Sequence, residues 1–516
     1  MVRVGEPLGL DELEAVAAGR ARVECSPRAT RAMEASRAAV MEAVGARGGE
    51  REPIRVYGVN TGFGALSEVA VSRGKIRALQ RNLVRSHACG VGPALPTATV
   101  RAMMLLRAQV LALGHSGVRP AIVDLLCRLL NRGVHPIIPE QGSVGASGDL
   151  APLAHLALVL IGEGRAEHEG RVMSGRRALA RARCVPIELR EKEGLALING
   201  TQLMTARAAE AVRRGADLCR VADVAGAMSI EALEASHHPF ERRVHAIRPH
   251  LGQGDSAANM RKLLAASQIV RSHRHCGKVQ DAYSLRCIPQ VHGATRDALG
   301  FVRAVVEREL GAVTDNPLVF ARPRRGQASF VSAGNFHGQP LSLCLDVAAI
   351  AVASLANISE RRIEQLVNPA FSGLPPFLAT ETGLDSGFML AQVTAAALVA
   401  ENKVLAHPAS VDSIPSSAGK EDHVSMGATA ARKAIQVIEH VGLVLGIELM
   451  VAAQALDLRA PLLPGRGVAA AHRAVRSVIA RLEGDRVLAG DIAAAAELVS
   501  GGGLLAAVTR AAGSLR

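Results

Sequence analysis

The chain has 516 residues, 49% hydrophobic and 21% charged, which is ample apolar material for a large core and excludes a disordered polymer. Its formal net charge of +13 would suit a nucleic-acid binder, but the basic residues are mixed with Asp and Glu along helical segments. With no Trp and 2% aromatics there is little on which bases could stack, so a solvated arginine-rich surface and no nucleic-acid partner are expected.

From the N-terminus, residues 1–16 carry acidic side chains where a secretory signal would carry its apolar run, so a cytoplasmic location is expected. Ile54-Arg55-Val56-Tyr57 reads as a short strand before a Gly-rich turn. Apolar residues spaced three and four apart predict helices over 97–113 and 119–131, the second with Pro120 in its first turn. An extended segment over 134–139 then leads into the loop 141–155 and an apolar helix, for which Asp149 is a suitable N-cap and Pro152 an acceptable first-turn residue. Segments 203–235, 340–367, 384–406 and 428–458 are long, Ala-rich and nearly free of breakers, as helices in a bundle are. Leu318-Val319-Phe320 reads as a second short strand, and Gly501-Gly502-Gly503 as a break before the last apolar segment. The fold class is therefore mostly α with minor β: residues 1–200 mix loops with shorter helices, and 201–516 supply the long bundle.

Several partners are not expected. Eight cysteines show no CxxC pair and no zinc-like spacing with histidine, so they read as free thiols in a reducing compartment, with no metal. No GxGxxG suggests a nucleotide. The most apolar stretches, such as Leu153 to Ile161, read as too short to cross a bilayer, so no membrane partner is expected.

The chemistry centres on Ala146-Ser147-Gly148, at the tip of the loop. An isolated triplet of this kind is ordinarily a plain Gly-rich turn. A nucleophile elbow, G-x-S-x-G, needs a second glycine where Asp149 stands, so that reading fails on spacing. A third reading is self-processing. Gly148 has no Cβ, so its nitrogen can approach the Ala146 carbonyl carbon in a strained turn. Cyclisation with loss of water, including the Ser147 hydroxyl, would leave an exocyclic methylene conjugated to a five-membered ring, an electrophile no ordinary side chain provides. The two tyrosines, Tyr57 and Tyr283, fall inside loops that bear Gly or Arg rather than on periodic apolar faces, which suggests acid/base work rather than packing.

The segment 142–155 closely resembles the signature of the histidine/phenylalanine/tyrosine ammonia-lyase family, in which Ala-Ser-Gly matures to the methylidene-imidazolone (MIO) group. Residues 57–64, 199–202, 280–286, 334–337 and 401–426 resemble further family motifs in the expected order, so the resemblance runs from about Leu10 to about Arg459. It implies MIO formed from Ala146, Ser147 and Gly148, and an aspartase/ammonia-lyase-like long helical bundle with an N-terminal MIO-bearing region. It also implies a homotetramer whose sites draw loops from more than one subunit. The reaction it implies is loss of ammonia from an amino acid after the substrate amine attacks the MIO methylene. Tyr57 resembles the base that takes the Cβ proton, which favours a phenol pKa lowered by loop amides and neighbouring cations. Arg286 resembles the clamp on the substrate carboxylate. Asn199, Gln280 and Tyr283 resemble positioning residues, and Asn335 and Phe336 those that shape the surroundings of the MIO. A relative kept only for binding would be expected to lose some of Ser147, Tyr57, Tyr283 and Arg286, and all four are present.

For the side-chain pocket, Ser86-His87, Met389 and Glu421 resemble the histidine-using branch. His87 and Glu421 can both hydrogen-bond an imidazole, whereas a phenyl ring would leave them unpaired. Three positions depart from that branch: Lys420 where Gln is usual, Gly338-Gln339 where Ala-Glu is common, and His292 where a smaller or apolar residue is usual. A tyrosine or phenylalanine lyase and a 2,3-aminomutase therefore stay open.

Overall fold

The structure, a computed structural model, describes residues 1–45, 55–273, 277–321 and 329–516. It is mostly helical, as expected, with short strands between the helices. The chain forms two compact units, one of Met1–Ala209, Ala304–Leu345 and Pro408–Arg432, the other of Glu210–Arg303, Asp346–His407 and Lys433–Arg516.

All the described strands fall in the first unit. They form a parallel pair, Val2–Val4 with Val23–Cys25, and antiparallel pairs Val91–Ala94 with Pro139–Gln141 and Leu318–Phe320 with Ser329–Val331. A three-stranded antiparallel sheet runs in the order Val134–Pro136, Arg165–His168, Arg171–Ser174. The helix Thr97–Ala112 is buried almost all round, from Val100 to Ala112, and the helix Pro120–Asn131 starts on its proline as predicted. The strand expected from Ile54 is not formed: Arg55 and Val56 are irregular and Tyr57 opens a turn, while Ile54 lies outside the described residues. The turn wins because Val56 N–H bonds the Asn60 side chain and the Val59 and Asn60 amides bond the Val56 carbonyl, a local closure that competes with pairing.

The predicted long helices are Gln202–Ala232, Gln339–Val367, Met389–Leu405 and Gly427–Asp457. Within the second unit, Gly215 and Gly226 let the first of these approach its neighbour, since a Cβ at either would lie 2.9 Å from Leu299 or Ile288. Two of these helices correct the expectation about apolar stretches. Gln339–Val367 and Gly427–Asp457 are long and apolar enough, by length and composition alone, to cross a bilayer, but most of the apolar window of each is buried inside the protein. Each also carries buried charge: Arg362 meets Glu448 through two nitrogens at 2.5 and 2.7 Å, and Ser229 and Ser359 donate to the same carboxylate. Their apolar character comes from a protein core.

Candidate active site

The MIO-like loop is a tight turn ahead of the helix Leu150–Leu160. Gly145 N–H donates to Ser143 Oγ, which donates to the Gly148 carbonyl, both at 3.1 Å, and backbone bridges join Gly145 and Ala146 to Gly148. Gly148 adopts φ +75°, and a Cβ there would stand 2.1 Å from the Gly200 carbonyl oxygen. From the other side, Met426 N–H donates to the Val144 carbonyl at 2.9 Å.

Asp149 precedes its helix as expected but does not cap it with its side chain. Its Oδ2 instead accepts from the Leu203 and Met204 amides, at 2.8 and 3.1 Å, in the first turn of Gln202–Ala232. The orphan amides of that longer helix compete for the carboxylate and tie the loop to it. Burial pushes the Asp149 carboxyl up to about 7, against the pull of those two amides.

A cavity of about 700 Å³ in the first unit brings together Tyr57, His87, Ser147, Asn199, Phe336 and Glu421. Ser147 Oγ donates to Glu421 Oε1 at 3.3 Å, and Ser416 Oγ donates to Oε2 at 2.6 Å. His87 Nδ1 lies 2.9 Å from the Leu83 carbonyl, which makes it the protonated nitrogen and leaves Nε2 as an acceptor. Burial lowers the His87 pKa, opposed by the Leu83 carbonyl and the charge of Glu421, so the ring is neutral at pH 7. Tyr57 packs edge-on against Phe63, and its phenol oxygen accepts from Gly64 N–H at 3.3 Å. The expected lowering of its pKa is not found: burial raises it, Glu421 adds to the rise, and the Gly64 amide opposes both. A loop that buries a phenol beside a carboxylate outweighs the one amide aimed at it.

Gln280, Tyr283, Arg286 and Met389 belong to the second unit and do not line this cavity. Tyr283 is 72% exposed and opens the short helix Tyr283–Arg286, with the Arg286 guanidinium 4.5 Å from its ring centre and Arg286 Nε donating to the Asp281 carbonyl. Gln280 is exposed and Met389 starts the helix Met389–Leu405. Asn335 is also exposed, and its side-chain amide donates to the Val313 carbonyl.

The cavity also gathers residues not singled out from sequence, among them Arg55, Phe63, Asn316 and Ser417. Phe63 sits inside the motif around Tyr57 and could have been read from it. Of the departing positions, Lys420 lines the cavity, yet both Glu421 oxygens are taken by serines rather than by its ammonium. Gln339 begins its long helix and donates to the Ser410 carbonyl. His292 is fully buried in the second unit and bonded at 2.8 Å to Asp223, which Ser256, Asn259 and Arg296 also contact. That ion-paired cluster accounts for a histidine at this position.

The turn and the residues around it fit a group formed from Ala146, Ser147 and Gly148. Gly148 is held where no side chain fits, Ser147 faces the cavity, and Asn199 lines the cavity with a buried Oδ1 that has no hydrogen-bond partner. Among the described residues no cluster of His, Cys, Asp or Glu could hold a metal ion.

The model of the aromatic amino acid lyase family matches residues 8–477. The histidine ammonia-lyase of Sorangium cellulosum is 61% identical over 515 residues, 99% of each chain. That of Myxococcus xanthus is 55% identical over 98% of each. Among solved structures, histidine ammonia-lyase from Trypanosoma cruzi aligns with a TM-score of 0.89 at 43% identity, over 99% of this chain and 95% of that one. Tyrosine aminomutase from Streptomyces globisporus aligns with a TM-score of 0.92 at 40% identity over the whole of both chains. With the signature loop at the cavity wall and a match along nearly its whole length, the chain belongs to the aromatic amino acid lyase family.

Proposed function

We propose that the protein is a histidine ammonia-lyase that removes ammonia from L-histidine, without oxidation, to give urocanate. The observation that carries this reading is that one cavity holds Ser147, the half-buried Tyr57 and the His87/Glu421 pair. The MIO group formed from Ala146, Ser147 and Gly148 would supply the electrophile that turns the substrate amine into a leaving group.

The chain's own residues do the rest. His87 Nε2 and Glu421 are both acceptors, so either can take the single N–H of a neutral imidazole. Loss of the Ser147 hydroxyl frees Glu421 Oε1 for the substrate. Tyr57 takes the Cβ proton, and Asn199 Oδ1 accepts from the substrate amine. Phe336 walls the cavity beside the loop.

Gln280, Tyr283, Arg286 and Met389 act from a second copy of the chain, where Arg286 clamps the carboxylate as a planar fork. The family resemblance supports a homotetramer with shared sites. Residues 1–200 are the region that carries the loop and 201–516 the region that supplies the bundle. None of the seven described cysteines is joined in a disulfide, which supports a reducing, cytoplasmic setting.

The test is an assay on L-histidine that follows urocanate and ammonia together. Stoichiometric release of both supports the reading. Faster turnover of L-tyrosine or L-phenylalanine favours an aromatic lyase, and accumulation of a β-amino acid favours a 2,3-aminomutase.

A further inference from the structure

Asn199 is 2% exposed, and its two amide ends are treated differently. The Nδ2 group donates to the Asn316 carbonyl at 2.9 Å and to Asp315 Oδ1 at 3.4 Å, so both of its protons are used. Oδ1 is buried without a partner at the cavity that holds Ser147. Behind it, Asp315 Oδ2 accepts from Lys192 Nζ at 2.8 Å, and both of these side chains are fully buried. Asp315 also fixes its own loop by accepting the Asn316 amide at 2.7 Å.

We propose that the buried pair Lys192–Asp315 is a positioning device that locks the Asn199 amide with its oxygen, rather than its nitrogen, toward the substrate amine. The inference rests on the reading of Asn199 given above. A carboxylate can only accept, so Asp315 admits Asn199 in one orientation: Nδ2 toward the acid and Oδ1 toward the cavity. Lys192 pairs with that carboxylate in a fully buried place, where a lone charge would not persist. Were the amide to turn over, two donors would face an amine whose N–H groups need an acceptor. The loss should be largest as the nitrogen departs, and so in kcat rather than KM.

The experiment uses the full-length protein in four forms: wild type, Asn199→Ala, the double variant Lys192→Met/Asp315→Asn, and all three substitutions together. The double variant removes both charges, so no lone buried ion is left to unfold the chain. We expect its melting temperature and its loss of two waters from the sequence mass to stay near wild type. We expect kcat to fall about 10- to 100-fold with KM within a few-fold. Added to Asn199→Ala, the pair should cost nothing further in kcat, because it acts through that side chain. A near-wild-type kcat in the double variant, or effects that multiply, would overturn the proposal while leaving the role of Asn199 intact. An Asn199→Ala enzyme with unchanged kcat would instead remove the reading on which the proposal rests. If the double variant fails to fold, Asp315→Glu, which keeps the charge but moves the oxygens off Asn199, is judged by the same kcat and non-additivity criteria.

Discussion

Gly148 and Gly200 are packed so closely that a single added methyl at Gly148 would collide with the Gly200 carbonyl oxygen at 2.1 Å. Gly148→Ala should therefore destabilise the fold by about 2–4 kcal/mol, through positive φ and overpacking together. Folded wild-type protein should weigh two waters less than its sequence mass, and Gly148→Ala or Ser147→Ala protein should not show the same loss. Intact mass spectrometry reads all three, and a full-mass wild type would end the self-processing account.

Turnover should climb with pH. Burial and Glu421 keep the Tyr57 phenol protonated at neutral pH, so the fraction of active base rises as pH rises toward its elevated pKa. Tyr57→Phe should lower kcat by about 100- to 10,000-fold and flatten that limb. A variant retaining wild-type rate and profile would show that another group takes the proton.

Substrate choice should follow His87 and Glu421. Glu421→Gln should cut histidine turnover by about 10- to 100-fold and hurt any residual phenylalanine activity far less. Replacing Ser86-His87 by Phe-Leu should move preference toward phenylalanine. Equal losses on both substrates would mean that Glu421 serves the reaction rather than the imidazole.

Stability should decline from mildly acidic to neutral pH. Burial raises Glu231 from 4.5 to about 7, against the Gly465 amide that donates to both of its oxygens. Between those values the folded state holds the extra proton, so raising the pH favours unfolding, and above about 7 the loss is complete. Glu231→Gln should remove up to about 3 kcal/mol of that decline. Denaturant titrations at several pH values measure it, and an unchanged slope in the variant would place the effect elsewhere.

Much of this was legible in the sequence because it is periodic or local. The helices at Thr97–Ala112 and Pro120–Asn131 follow from three-and-four spacing and a first-turn proline, and the loop around Ser147 from a short contiguous motif. What escaped depends on distant partners. Asp149 reads locally as the cap of its own helix, but its carboxylate is claimed by amides more than fifty residues on. The Tyr57 pKa depends on distant partners in the same way, since its burial and its carboxylate neighbour come from other segments. Lys192 and Asp315 are separated by 123 residues, and no spacing announces their pairing.

The scarcity of aromatic rings has an optical consequence. With no tryptophan, and with Tyr57 and Tyr283 as the whole complement of phenols, the protein is almost transparent in the near ultraviolet. A conjugated ring at Ala146-Ser147-Gly148 would therefore absorb against a nearly empty background. In Tyr57→Phe protein a single phenol would remain, so the ring's bleaching by nucleophiles could be followed directly in the intact enzyme.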